Sequence, residues 1–174
     1  MVDGKFLRAH PVECAYLMNR LLIEHLVVIN KAFDGDFDRA IVLGTIGQYN
    51  LRWFYDEIAQ HSTESLQELF ARGAHLPHLR PCNAMSVSAS TGIPRETVRR
   101  KVSWLIDKQW VREQGRGKLY VTSEPSRHFQ GIQVHMLADF GETLGRLQRA
   151  QVRLGGVGHA ATPVLSKRTR SSVR

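Results

Sequence analysis

Asn83-Ala-Met-Ser-Val-Ser-Ala-Ser-Thr-Gly-Ile-Pro-Arg-Glu-Thr-Val-Arg-Arg-Lys-Val-Ser-Trp-Leu-Ile-Asp-Lys-Gln-Trp110 decides how the rest of the chain is read. Asn83 suits an N-cap, because its side-chain oxygen can accept from an unpaired N–H of the first turn. A helix over about residues 84–90 is therefore expected. Thr91-Gly92 supplies a turn, with glycine free to take positive φ. Pro94 belongs in the first turn of the next helix, where its missing N–H costs nothing. That second helix, about residues 94–108, places Val98, Val102, Leu105 and Ile106 on one buried stripe. Glu96, Arg100 and Ser103 point away from the stripe, and Thr97 and Arg99 flank it.

The signal continues outward on both sides. Residues 111–121 have two β-prone arms around Gln114-Gly115-Arg116-Gly117, a hairpin pattern. Residues 73–81, with Pro77 and Pro81, read as a linker. Before them, Pro11 can open a helix to about Lys31 that Asp34-Gly35-Asp36 ends. A second helix from Asp36 or Asp38 to about Gln60 carries Val42, Ile46, Tyr49 and Trp53 on one face. Ser62 or Thr63 is expected to cap a shorter helix through Ala71. Pro125 reads as a break. Residues 127–153 then space Ile132, Met136, Phe140, Leu144 and Leu147 as an amphipathic helix. From Gly155 the composition describes a disordered basic tail. The expected organisation is 1–79 helical (dimerisation or effector region), 80–124 around the quoted segment, 125–154 a C-terminal helix for dimerisation, and 155–174 the tail.

Charge is localised. The chain carries a formal net charge of +8, but residues 1–79 hold 7 Lys/Arg against 10 Asp/Glu, while residues 80–127 hold 10 against 4. The basic footprint therefore sits on the quoted segment and the tail, which points to a polyanionic partner there. Cys14 and Cys82 are too few for a disulfide framework. No run reaches the roughly 18 apolar residues of a membrane span, so no membrane partner is expected. The expected location is a reducing cytoplasm, at the nucleoid.

The segment STGIPRETVRRKVSWLIDKQWVREQGRGKLYVT resembles the winged helix-turn-helix of bacterial transcriptional regulators, nearest to the GntR-like and MarR-like winged domains. The likeness covers about residues 80–124. It implies a winged helix-turn-helix there, and with the helices read on either side the expected fold is mainly α, a winged helix-turn-helix between N-terminal helices and a C-terminal helix. It also implies a recognition helix in the major groove of double-stranded DNA, a wing on the backbone, and no catalysis or cofactor. The candidate DNA contacts are Asn83 and Ser86 at the first helix, Arg95, Glu96, Thr97, Arg99 and Arg100 on the second, and Arg116 and Lys118 on the wing. Arginines four apart can take phosphate or the O6/N7 edge of guanine, and glutamate can accept from cytosine N4. Two residues depart from the pattern. Lys101 stands where such sequences often keep an apolar residue, and Pro94 where a Ser or Thr cap is common.

The spare apolar surface of the N-terminal helices and of residues 127–153 suggests a homodimer, with two recognition helices about 34 Å apart. The alternative is a winged module that binds protein without sequence-specific DNA binding. Other features carry competing readings. His75-x-x-His78 has metal-compatible spacing but lacks nearby partners, so a surface pair is the simpler reading. Cys82 is either a redox sensor or a packed thiol. Cys14 reads as core, and His25 as a satisfied core or interface histidine. Tyr49, Trp53, Phe54 and Tyr55 either line a small-molecule effector pocket or pack as core. No GxSxG, P-loop or HExxH is present, and Leu154-Gly-Gly-Val-Gly158 has no following helix to make a nucleotide loop.

Overall fold

The computed structural model describes residues 2–155. Helix accounts for 74% of the described residues, beside one small antiparallel sheet, so the mainly α expectation holds. The elements are α1 (Gly4–Ala9), α2 (Pro11–Ala32), α3 (Phe37–Glu57), α4 (Leu66–Ala71), α5 (Ala84–Thr91), α6 (Arg95–Asp107), β1 (Val111–Gln114), β2 (Lys118–Val121) and α7 (Glu124–Gly155). The tail expected from Gly155 lies outside the described residues, except that Gly155 itself closes α7. Two compact units divide the chain, residues 22–137 and the two terminal segments.

Within residues 22–137 the quoted segment folds as its local signals dictate. Asn83 Oδ1 accepts from Ser86 N–H at 2.9 Å and caps α5. Gly92 ends the helix at φ 73°, left-handed backbone that a Cβ would strain, and its N–H bonds Ser88 O. Pro94 is the N-cap of α6. β1 and β2 pair from Val111↔Val121 to Gln114↔Lys118, leaving Gly115, Arg116 and Gly117 as the hairpin tip. On its other side β2 bridges to Cys82, whose carbonyl accepts from Leu119 N–H at 2.9 Å.

Two short helices and a hairpin of two four-residue strands offer too few apolar side chains to make a core alone. α3 supplies the rest. Val42, Leu43 and Ile46 are buried with Val87 of α5, Val98, Val102 and Leu105 of α6, and Val111 and Leu119 of the hairpin. Phe33, Trp110 and Phe129 close one side, with the Phe33 and Phe129 rings stacked at 5.1 Å. The stripe of α3 differs from the expected one. Its buried residues are Val42, Leu43, Ile46, Asn50 and Phe54, and Tyr49 and Trp53 stay exposed. The 3.6-residue period allows both phases, and packing against α5 and β2 selects the one through Asn50.

Three further local differences have plain causes. Ser65, not Ser62 or Thr63, caps α4, because Glu68 three residues on completes a reciprocal capping box. α3 stops at Glu57, and Ala59–His61 form a separate 3-10 turn. Pro125 does not break the chain; it is buried in the first turn of α7, where proline is tolerated.

The terminal unit has a small core of Phe6, Cys14, Leu147 and Ala150. Glu13 and Arg153 form an ion pair there, and Asp3 N–H bonds Gln151 Oε1 at 2.9 Å. It leaves Val12, Tyr16, Phe140 and Val152 exposed.

Candidate nucleic-acid interface

α6 begins without a side-chain cap, so its first N–H groups face outward with only Pro94 before them. A 13-residue helix with an open N-terminus attracts anions through those N–H groups and its dipole. Arg95 follows directly, with Arg99 one turn on. Both line an open cleft of about 530 Å³ whose other walls are Asn83 and Met85 at the start of α5 and Arg116 at the hairpin tip. Three arginines from two separate elements thus line one concavity. Val102 and Ile106 lie at its floor, and Glu113 of β1 is the one acid lining it.

The expected site residues separate into groups. Asn83, Arg95, Arg99 and Arg116 are brought to the cleft; Ser86, Glu96, Thr97, Arg100 and Lys118 are not among its lining residues. Glu96 lies 3.5 Å from Arg99, an exposed pair that contributes little to stability and can open toward a ligand. Arg100 and Lys118 are exposed and Thr97 is half-buried. Ser86 Oγ donates to Asn83 Oδ1 at 3.2 Å, so cap and hydroxyl are coupled.

Lys101 explains its own departure from the apolar pattern. Its side chain is only 12% exposed, and Nζ meets Asp36 Oδ2 at 2.5 Å. Arg39, also 3.1 Å from Asp36, lays its guanidinium over Trp104 of α6 at 4.1 Å. Burial alone would raise the Asp36 carboxyl, but the hydrogen bond and charge of Lys101, with Arg39, hold it below the ordinary carboxylate range. An ion pair between α3 and α6 therefore fixes the outward face of α6. Asp36→Asn is expected to cost about 1–3 kcal/mol in urea melts at pH 7, because Lys101 is left without its counter-charge. A lowered folded pKa means this contribution is complete above the unfolded value near 4 and fades as pH falls below it toward the folded value. The variant should therefore converge on the parent protein in acid; an equal gap at pH 7 and pH 3 would refute the pairing.

The remaining candidates sort by contact. Cys82 is buried, and burial pushes its thiol up to about 11, so at neutral pH it is a packed thiol and not a reactive one. Cys14 is core as expected. His25 is half-buried with no partner for Nε2, which corrects the expectation of a satisfied ring. His75 stacks on Phe70 at 4.2 Å, and burial lowers its pKa; His78 stacks on Phe54 at 6.1 Å. These rings serve an aromatic cluster, and among the described residues no third ligand joins them. The four aromatic residues of α3 do not share a pocket. Phe54 is core, Tyr49 hydroxyl meets Ser90 Oγ at 2.6 Å, and Trp53 lies under the Arg80 guanidinium at 4.8 Å. Only Phe54 and Tyr55 come together, lining one open groove of about 500 Å³ with Leu66 and Phe70.

Two residues escaped the sequence reading. Arg80 carried no signal beyond its charge. Asn50 did carry one, a polar residue four positions after Ile46 and in phase with the buried stripe. No helix among the described residues is long and apolar enough to cross a membrane. No family model matches the chain, and neither a curated protein nor a solved structure shows significant similarity to it.

Proposed function

We propose that the chain is a sequence-specific DNA-binding transcriptional regulator with a winged helix-turn-helix, in which α6 enters the major groove and the β1–β2 hairpin is the wing. The observation that carries this reading is the convergence of Arg95, Arg99 and Arg116 beside the uncapped start of α6. A phosphate strand running between helix and wing meets positive charge from both, while Arg95 and Arg99 remain able to read guanine edges. The local excess of base over acid in residues 80–127 supports the same partner.

A homodimer completes the proposal. Leu137, Phe140 and Leu144 of α7 are exposed at spacings of three and four, the row a second helix covers in coiled-coil packing. Val12, Tyr16 and Ile23 of α2, at spacings of four and seven, form a second exposed apolar row. A two-fold axis would present two α6 helices to a pseudo-palindromic site.

Duplex selection from a random pool, followed by titration of the enriched sequence at several salt concentrations, tests this. Affinity should fall with salt at a slope of about −0.9 per phosphate contacted. No binding at low ionic strength would sink the DNA reading and leave a protein-assembly module. Sedimentation of a monomer at the concentrations that bind DNA would remove the dimer.

A further inference from the structure

Asn50 is the only polar residue of the described core to be wholly buried, 0% exposed in the middle of α3. Its amide nitrogen donates to Arg80 O at 2.7 Å and to Leu119 O at 3.1 Å, and its Oδ1 accepts from Val121 N–H at 2.6 Å. Its own carbonyl accepts from Arg80 N–H at 3.1 Å. One side chain therefore grips the outer edge of β2 at two residues and the strand-like approach to α5 at a third. The edge matters because the hairpin has only two full strands, and a two-stranded hairpin is marginal by itself in water.

Only a carboxamide fits this place. Two carbonyls and one N–H demand two donors and one acceptor at fixed separation. Aspartate would set its charge against two carbonyl oxygens. An aliphatic residue would leave three backbone groups without this partner, one of them in a buried bond and two in part-buried ones, and each such loss is costly. Simple core filling needs none of this chemistry, and at that position of the stripe it would be met by leucine.

We propose that Asn50 is the positioning residue of the wing: it clamps the root of β2 so that Arg116 is held at the cleft with Arg95 and Arg99, and Lys118 on the strand beside it. This rests on the DNA-binding reading above. Lys118 opens β2 and Arg116 lies two residues before it, so rotation at Leu119–Val121 would carry Arg116 away from α6 and turn Lys118 with it. The clamp acts on affinity only through those two side chains.

A thermodynamic cycle tests that dependence. On the selected duplex, Asn50→Ala should weaken binding about as much as Arg116→Ala with Lys118→Ala, roughly tenfold, and lower the salt slope by about 2. The triple variant should bind no worse than that wing double variant. Additive losses overturn the role of Asn50 while DNA binding stands; a parent protein that binds no DNA overturns the DNA reading instead, and this role with it. Asn50→Ser replaces Asn50→Ala if the alanine variant does not fold. Amide exchange on the unaltered protein gives a second decision. The Val121 N–H should exchange as slowly as the core amides of α3, and exchange at the rate of the hairpin tip would overturn the clamp whatever the variants do.

Discussion

Arg95→Ala combined with Arg99→Ala is expected to abolish selective DNA binding, weakening the enriched duplex by about 100-fold or more. A bidentate guanine contact contributes roughly 1–3 kcal/mol, and both arginines lie at the start of α6, where base edges are within reach. The fold should not respond. Both side chains are exposed, and the pair Arg99 makes with Glu96 is a 3.5 Å surface contact. Helical circular dichroism and the urea midpoint should therefore match the parent protein. Glu96, freed of its neighbour, then adds repulsion toward phosphate. Binding curves that superimpose on those of the parent would refute the assignment of the α6 face. Loss confined to salt-dependent, sequence-independent affinity would place these arginines on phosphate instead of on bases.

Phe54→Ala should destabilise the protein by about 3–5 kcal/mol, the range for emptying a buried aromatic site. Phe54 is 1% exposed and packs edge-on against Phe70 at 6.0 Å, with His75 and His78 around it. Its neighbour Trp53 is 36% exposed, and its cover is the Arg80 guanidinium and the His78 ring. Trp53→Ala should therefore cost within about 1 kcal/mol. Chemical denaturation of the two variants side by side checks the phase of α3. A larger loss at Trp53 would restore the stripe that runs through Tyr49 and Trp53 and contradict the packing described above.

That pair of residues also marks how far the sequence could be read. Val42 and Ile46 belong to both phases of α3, and an apolar count favours continuing to Tyr49 and Trp53. Asn50 looks like a polar interruption when its neighbours are unknown. Its burial becomes intelligible only when Arg80, Leu119 and Val121, 30 to 71 residues away, offer backbone groups that need partners. Lys101 is a similar case. It stands where an apolar residue is usual, and the sequence does not show why; Asp36, 65 residues earlier, takes its charge inside the fold.

The elements themselves were legible because their signals are local. Asn83 caps, Gly92 takes positive φ, and the 3.6-residue spacing of Val98, Val102 and Leu105 forces one face of α6 inward and Arg95 and Arg99 outward. Backbone sterics and helical period act over a few residues, so the sequence alone determined α2, α3, α5, α6, the hairpin and where the positive charge lies, while α1 was not foreseen. Tertiary structure decided which of two possible faces of α3 is buried, that this helix shares a core with α5, α6 and the hairpin, and that Arg116 meets Arg95 and Arg99 at one cleft. Those outcomes depend on groups distant in the chain satisfying one another's volume, hydrogen bonds and charge, and no local pattern encodes which partner will be there.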